Sequence, residues 1–232
     1  MKNKKLYVRL ASILAFILII GLSINGKVLS ANGAAAQEEL QAGQRFSLPS
    51  AIQDQSNLIQ GPSSYSGYTR VTDNEEKMTV EVPVEWGDID TGAWMYKGRT
   101  VGVFVAASGD LANFYSTRSQ PGVFIGVSHS LAQAYSRDSL LGLEKRDYSN
   151  RCRYKGRFDY KNQFYAGQYD HFTNCAAGTP SLLVFTTASA DQKSLILLRI
   201  VVVSEADLEA ADIIINSFQV LGDPERDEHH DN

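Results

Sequence analysis

Four basic residues at alternate positions form the strongest candidate binding feature in this sequence. They are Arg151, Arg153, Lys155 and Arg157, in a chain whose formal net charge is −4. Residues two apart on a regular β-strand share a face, so the spacing predicts a positive stripe. Such a stripe fits a docking site for an acidic partner, or equally an ordinary solvent-exposed face balanced by Asp147, Asp159 and Asp170.

The four histidines, His129, His171, His229 and His230, are the candidates for a general base. A serine hydrolase needs a histidine within reach of a nucleophile and an acid that orients the ring. Asp170 precedes His171 directly, but neighbours on a strand point to opposite faces, so these two cannot pair in that way. The sequence also contains no G-x-S-x-G motif. We therefore predict no catalytic residue.

Two segments contain metal-ligand residue types. Residues 227–231 read DEHHD, but an end segment would have to lose chain entropy to hold an ion. Asp88 and Asp90 lack the third acid and the glycine of an EF-hand loop, so a plain turn is the simpler interpretation. The sequence predicts neither a metal site nor a cofactor.

The start of the chain has the pattern of a secretory signal peptide. Lys2, Lys4, Lys5 and Arg9 precede an apolar run over residues 10–24, and three alanines follow at 34–36. The run is shorter than the roughly 20 residues that a membrane-spanning helix needs. We predict that residues 1–36 direct export and are removed, with a retained signal anchor as the alternative. The protein is then secreted or extracytoplasmic, and membrane-bound only if the anchor stays.

Removal of the leader would make the protein more acidic. The leader holds five cations and no acid, so 22 lysines and arginines fall to 17 against 26 acids, and the net charge becomes −9. An acidic surface repels phosphate backbones and anionic lipids. Nucleic acid is therefore excluded as a partner class, and the hypothesis that remains is an acidic extracytoplasmic protein bound at the basic stripe.

The cysteines of the chain are Cys152 and Cys175. An even pair in an exported protein predicts one disulfide, with two buried free thiols as the alternative. The bond would close a hairpin whose turn is at 161–163. Because Cys175 lies three residues farther from Asn162 than Cys152 does, we expect a bulge or short loop near Gly167, or a cysteine beyond the paired region.

Period-two alternation and capping residues predict an α+β fold. Hairpins are expected over 68–84, 152–174 and 181–203, with buried strands at 100–107 and 123–127. Helices are expected behind Asp110, from Ser130 to about Arg146, and from Ser204, while Gly87 to Arg99 is expected to be a loop. Together these elements indicate a mostly antiparallel sheet flanked by helices.

Composition divides the chain into four regions. The leader is residues 1–36, and a stretch rich in Gln, Ser, Ala and Gly at 37–66 predicts a flexible tether. The globular domain is predicted at 67–222. Residues 223–232 are predicted to be a charged, disordered tail.

Several short sequence motifs together resemble those of a bacterial extracytoplasmic domain with the PsbP-like fold. They are VEVPVEW at 80–86, D-L-x-x-F at 110–114, PGVF at 121–124, the cysteine hairpin at 152–175, and A-D-L-x-A-x-D-x-I-I-x-S-F at 206–218. Such domains occur alone after a signal peptide or behind trypsin-like serine protease domains. The resemblance implies an αβα sandwich, a fold shared with a Ran-binding import factor, and it assigns no functional residue.

These observations favour an exported binding or scaffold domain without enzymatic activity. The fold pattern is complete, while no nucleophile and base, metal cluster or phosphate loop accompanies it. The alternative is an enzyme, or an accessory domain of an extracellular serine protease system, which only the association of the resembling family with proteases favours.

Overall fold

The computed structural model describes residues 45–49, 62–175 and 181–221. Their helices are α1 Leu111–Ser116, α2 His129–Ala134, α3 Arg137–Ser149 and α4 Glu205–Ser217. Their strands are β1 Tyr68–Thr72, β2 Met78–Pro83, β3 Asp88–Tyr96, β4 Arg99–Ser108, β5 Gly122–Ser128, β6 Arg153–Lys161, β7 Ala166–Thr173, β8 Ser181–Ala188, β9 Leu195–Val202 and β10 Gln219–Val220.

A seven-stranded antiparallel sheet in the order β3-β4-β5-β9-β8-β7-β6 is the centre of the fold. Strands β5, β8 and β9 lie in its middle, and almost all of their residues are buried. This burial explains why their sequences are almost continuously apolar, because both faces of a central strand are covered and neither is exposed to solvent. Strands β3 and β6 are the two edges of this sheet.

Helices cover both faces of this sheet. Helices α1, α2 and α3 pack on one face, over a core that includes Leu140, Leu141 and Phe172. On the other face lie α4 and a three-stranded sheet, β1-β2-β10, over a core that includes Phe185 and Ile214. The predicted α+β fold, a mostly antiparallel sheet flanked by helices, is confirmed.

The capping residues explain where the helices begin. Asp110 caps α1 as predicted, since its carboxylate accepts a hydrogen bond from the Asn113 N–H at 3.0 Å. The helix predicted from Ser130 is instead two helices. Ser128 caps α2, and Ser136 caps α3 after Tyr135 has taken an extended conformation. Each of these serines accepts a hydrogen bond from the N–H three residues later, as an N-cap residue does.

The loop predicted between Gly87 and Arg99 is wrong, because β3 occupies most of it. Its residues show little alternation, and pairing with β4 supplies their backbone hydrogen bonds. Trp94 anchors the strand by packing over β5, where a Cβ added at Gly126 would lie 2.6 Å from the indole ring. A glycine two strands away therefore permits this contact.

The tether prediction fails for the residues of it that the structure describes. Residues 45–49 pack against α4, and Tyr65 donates a hydrogen bond to the buried carboxylate of Asp207 while accepting one from Trp86 Nε1 at 2.9 Å. Two apolar side chains and several polar ones fix these segments to the domain. The leader, the rest of the tether and the tail at 223–232 lie outside the described residues.

None of the helices among the described residues is long and apolar enough to cross a membrane. Within the same ranges, no group of three or more His, Cys, Asp or Glu side chains is arranged to hold a metal ion.

Candidate functional site

The predicted basic segment lies along the edge strand β6, and a disulfide closes its open end. The sulfur atoms of Cys152 and Cys175 are 2.16 Å apart, which confirms the predicted disulfide. Both cysteines lie just outside the paired strands, whose outermost pair is Arg153 opposite Thr173. The disulfide therefore holds Arg153, the first residue of β6, in place against β7.

The register of the β6–β7 hairpin shows where the extra residues are. Lys161 faces Ala166, so residues 162–165 form the loop. In this loop the side-chain amide oxygen Oδ1 of Asn162 accepts hydrogen bonds from the N–H groups of Phe164 and Tyr165. A β-bulge between Tyr154 and Gly156 leaves Lys155 without an opposite residue. The bulge is thus at Lys155 rather than near Gly167, and Cys175 lies beyond the paired region.

This bulge shows that the single positive stripe is wrong. Arg153 lies opposite Thr173, whereas Arg157 lies opposite Asp170. Paired residues share a face, and positions 170 and 173 on β7 point to opposite faces. Arg153 and Arg157 therefore project from opposite sides of the sheet, because one inserted residue reverses the alternation.

Arg157 is an internal counter-ion rather than a free docking residue. Its guanidinium makes two hydrogen bonds of 2.8 Å to the carboxylate of Asp170, whose side chain is completely buried. The Tyr154 hydroxyl donates a third bond to that carboxylate at 3.1 Å. The hydrogen bond to Asp170 is the main cause of a raised pKa at Arg157. The arginine thus compensates a buried acid.

The other cations at this edge remain exposed. Arg153, Lys155 and Lys161 form no ion pair within the described ranges, and Arg151 donates only to the Asp147 carbonyl at 3.4 Å. Several other surface cations are paired: Arg70 with Glu81, Lys77 with Glu75, and Lys193 with Asp191. We call Arg151, Arg153, Lys155 and Lys161 the β6 cations.

The structure also brings together a histidine and a serine. His171 Nε2 lies 3.4 Å from Ser181 Oγ, and both side chains are buried. Burial, with a smaller contribution from the charge of Lys155, lowers the pKa of His171 to about 4. Asp170 points to the other face, as predicted. The contact was missed because it depends on the register between β7 and β8, which brings together residues ten positions apart.

A second ion pair joins α3 to the centre of the sheet. Arg199 of β9 makes two hydrogen bonds of 2.8 Å to Glu144, whose side chain is almost fully buried. The guanidinium also lies 5.2 Å from the centre of the Phe124 ring. This geometry positions α3 on the sheet. Of the remaining histidines, His129 is exposed at the start of α2, and His229 and His230 lie outside the described residues.

Comparisons with known proteins give distant structural likenesses. No protein-family model and no curated protein matches the sequence. The chain is similar to the solution structure of cyanobacterial PsbP (CyanoP) from Synechocystis sp. PCC 6803, with 11% identity and a TM-score of 0.41, covering 69% of this chain and 95% of that one. It is also similar to the Ran-binding protein Mog1p of Saccharomyces cerevisiae, with 8% identity and a TM-score of 0.39, covering 67% of this chain and 96% of that one.

The first of these structures is a PsbP, the kind of protein whose fold the sequence motifs predict. Likenesses at this level of identity concern the fold alone, so no functional conclusion follows from them.

Proposed function

We propose that this protein is an exported binding domain, without catalytic activity, that captures an acidic partner protein through the β6 cations. The observation that carries the proposal is the concentration of exposed cations on and just before the edge strand β6 of an acidic chain. Among the described residues, Arg153, Lys155 and Lys161 form no ion pair. Exposed charges in such a patch guide the encounter with a partner of opposite sign.

The position of these cations at a sheet edge supports a particular mode of binding. An edge strand presents backbone N–H and C=O groups that a further strand can bond, and an extended peptide binds other domains in this way. Charged side chains on an edge also prevent uncontrolled strand pairing between copies. An acidic extended segment satisfies both conditions, because it neutralises the cations and adds to the sheet.

The disulfide supports an extracytoplasmic location. Disulfides persist in oxidising compartments and are rare in the cytosol. We propose that the leader at 1–36 exports the protein, which is then secreted, or stays membrane-bound if the leader is retained.

The test is a pull-down of partners from the native envelope fraction or culture fluid. We expect the Arg153→Glu/Lys155→Glu variant to retain less than a tenth of the partner that the wild type captures, and salt to release the partner from the wild type. The matched control is Lys97→Glu/Arg99→Glu, which makes the same charge change at exposed positions in the β3–β4 hairpin. Equal capture by both variants would contradict the proposal.

The second candidate function is hydrolysis at the His171–Ser181 pair. The observation that favours it is the contact of 3.4 Å between the imidazole and the hydroxyl. Both groups are buried, so a substrate could reach them only if the strand ends opened. Turnover of peptide or ester substrates that is lost in Ser181→Ala would overturn the non-enzymatic proposal.

A further inference from the structure

Residues 45–49 lie against α4, and α4 binds their main chain through side chains. Asn216 accepts a hydrogen bond from the Phe46 N–H at 2.9 Å and donates one to the Phe46 carbonyl at 2.8 Å. One amide side chain thus bonds both backbone groups of a residue 170 positions away. This contact recognises an extended main chain and does not depend on which side chain it carries.

A second side chain of α4 extends this recognition by two residues. The Asp212 carboxylate accepts a hydrogen bond from the Leu48 N–H at 3.0 Å. Asp212 and Asn216 are four residues apart, so they lie on the same face of the helix, one turn from each other. That spacing matches alternate N–H groups of an extended segment, which point to the same side.

The surface also contacts the side chains of Phe46 and Leu48, so it discriminates between side chains at these two positions. The Phe46 ring contacts Tyr160, Tyr169 and Phe185 edge-on, with ring centres 5.7, 6.2 and 6.4 Å apart. Leu48 is almost completely buried, whereas Ser47 between them is exposed. The surface therefore selects a Phe-x-Leu pattern in an extended segment.

We propose that this surface, called the α4 groove and made of Asp212, Asn216, Tyr160, Tyr169 and Phe185, is a peptide-binding site. Residues 45–49 occupy it within the same chain, and an extended Phe-x-Leu segment of a partner protein binds by displacing them. The α4 groove is a second binding surface, beyond the function proposed above, and none of its contacts with residues 45–49 involves a β6 cation.

Residues 45–49 join the domain through side-chain contacts, with Leu48 in the same core cluster as Ile214 and Phe185. They form no strand or helix, and their hydrogen bonds to other described residues go to two side chains of one helix. Short segments outside any strand ladder open at a lower free energy than paired strands do. Residues 45–49 take part in no ladder of the two sheets.

Tethering determines how the site must be tested. A segment joined to its own domain by a short connection has an effective concentration on the order of millimolar. A free peptide therefore competes poorly in the wild type, and the groove has to be opened first.

The experiment uses the full chain with Phe46→Ala/Leu48→Ala and a fluorescent peptide of residues 43–50, followed by anisotropy. We expect this variant to bind the peptide at least tenfold more tightly than the wild type does. Adding Asn216→Ala should weaken binding at least tenfold. A peptide with alanine in place of its Phe and Leu is the matched control and should not bind.

Thermal unfolding shows whether the Phe46→Ala/Leu48→Ala variant is folded. If the double variant does not fold, Leu48→Ala alone takes its place, and we expect the same order of affinities. A folded, opened variant that does not bind the peptide would overturn the proposal. So would equal binding of the alanine peptide, or equal affinity in wild type and variant, since each would show that the α4 groove is not the site.

Discussion

Arg157 and Arg153 have the same side chain and lie on the same strand, yet their environments differ. Arg157 neutralises the fully buried Asp170, while Arg153 is exposed and forms no ion pair with another described residue. Removing one partner of a buried pair leaves an uncompensated charge, which costs far more than losing an exposed one. The two arginines therefore provide a matched comparison.

We predict that Arg157→Ala lowers the free energy of unfolding by about 3 kcal/mol, since Asp170 loses its counter-ion. Arg153→Ala should change it by less than about 0.5 kcal/mol, as is usual for exposed positions. Urea unfolding of both variants measures the difference. Equal effects of the two substitutions would show that Asp170 does not depend on Arg157.

At the scale of elements, the packing of the Trp94 side chain of β3 onto β5 depends on Gly126. Gly126 leaves room for the Trp94 ring, while Gly142 on α3 has no atom within 4 Å of the place where its Cβ would be. The same substitution at the two sites therefore has opposite consequences, because one site is filled and the other is open.

Gly126→Ala should destabilise the fold by about 1–3 kcal/mol, since the added methyl group overlaps a buried ring. Gly142→Ala should stabilise it by about 0.5–1 kcal/mol, because alanine has the higher helix propensity. Thermal or urea unfolding would show the two signs. Stabilisation by Gly126→Ala would mean that Trp94 does not pack over β5.

At the scale of the whole molecule, the buried His171 makes the free energy of unfolding depend on pH. Its pKa is lowered from 6.5 to about 4, chiefly by burial, with a contribution from Lys155. The folded state thus favours the neutral ring, whereas the unfolded chain takes up a proton below about pH 6.5. The stability that this residue contributes is complete above that pH and is lost as the pH falls toward 4.

We predict that the free energy of unfolding falls between pH 6.5 and 4 with a contribution from His171 of at most about 1.4 kcal/mol per pH unit. His171→Gln, which cannot titrate, should show a shallower fall over the same range. Urea unfolding at a series of pH values measures both curves. Parallel curves would show that the imidazole ionises equally in both states.

Features that depend on neighbouring residues could be predicted from the sequence. Alternation predicted both hairpins that include β6 to β9, and Asp110 and Ser204 marked the starts of α1 and α4. The cysteine pair predicted the disulfide, since an even pair next to a hairpin has one simple arrangement. Charge showed that the basic segment was unusual, and the exposure of Arg153, Lys155 and Lys161 is consistent with that interpretation.

Features that depend on register or on distant segments were decided only by the tertiary structure. One unpaired residue at Lys155 separates Arg153 and Arg157 onto opposite faces, and alternation alone contains no signal for such an insertion. The contacts of Phe46 and Leu48 with α4 span 170 and 164 positions, so composition marked that segment only as a tether. Packing energy between remote side chains, absent from any local pattern, placed these residues and created the α4 groove.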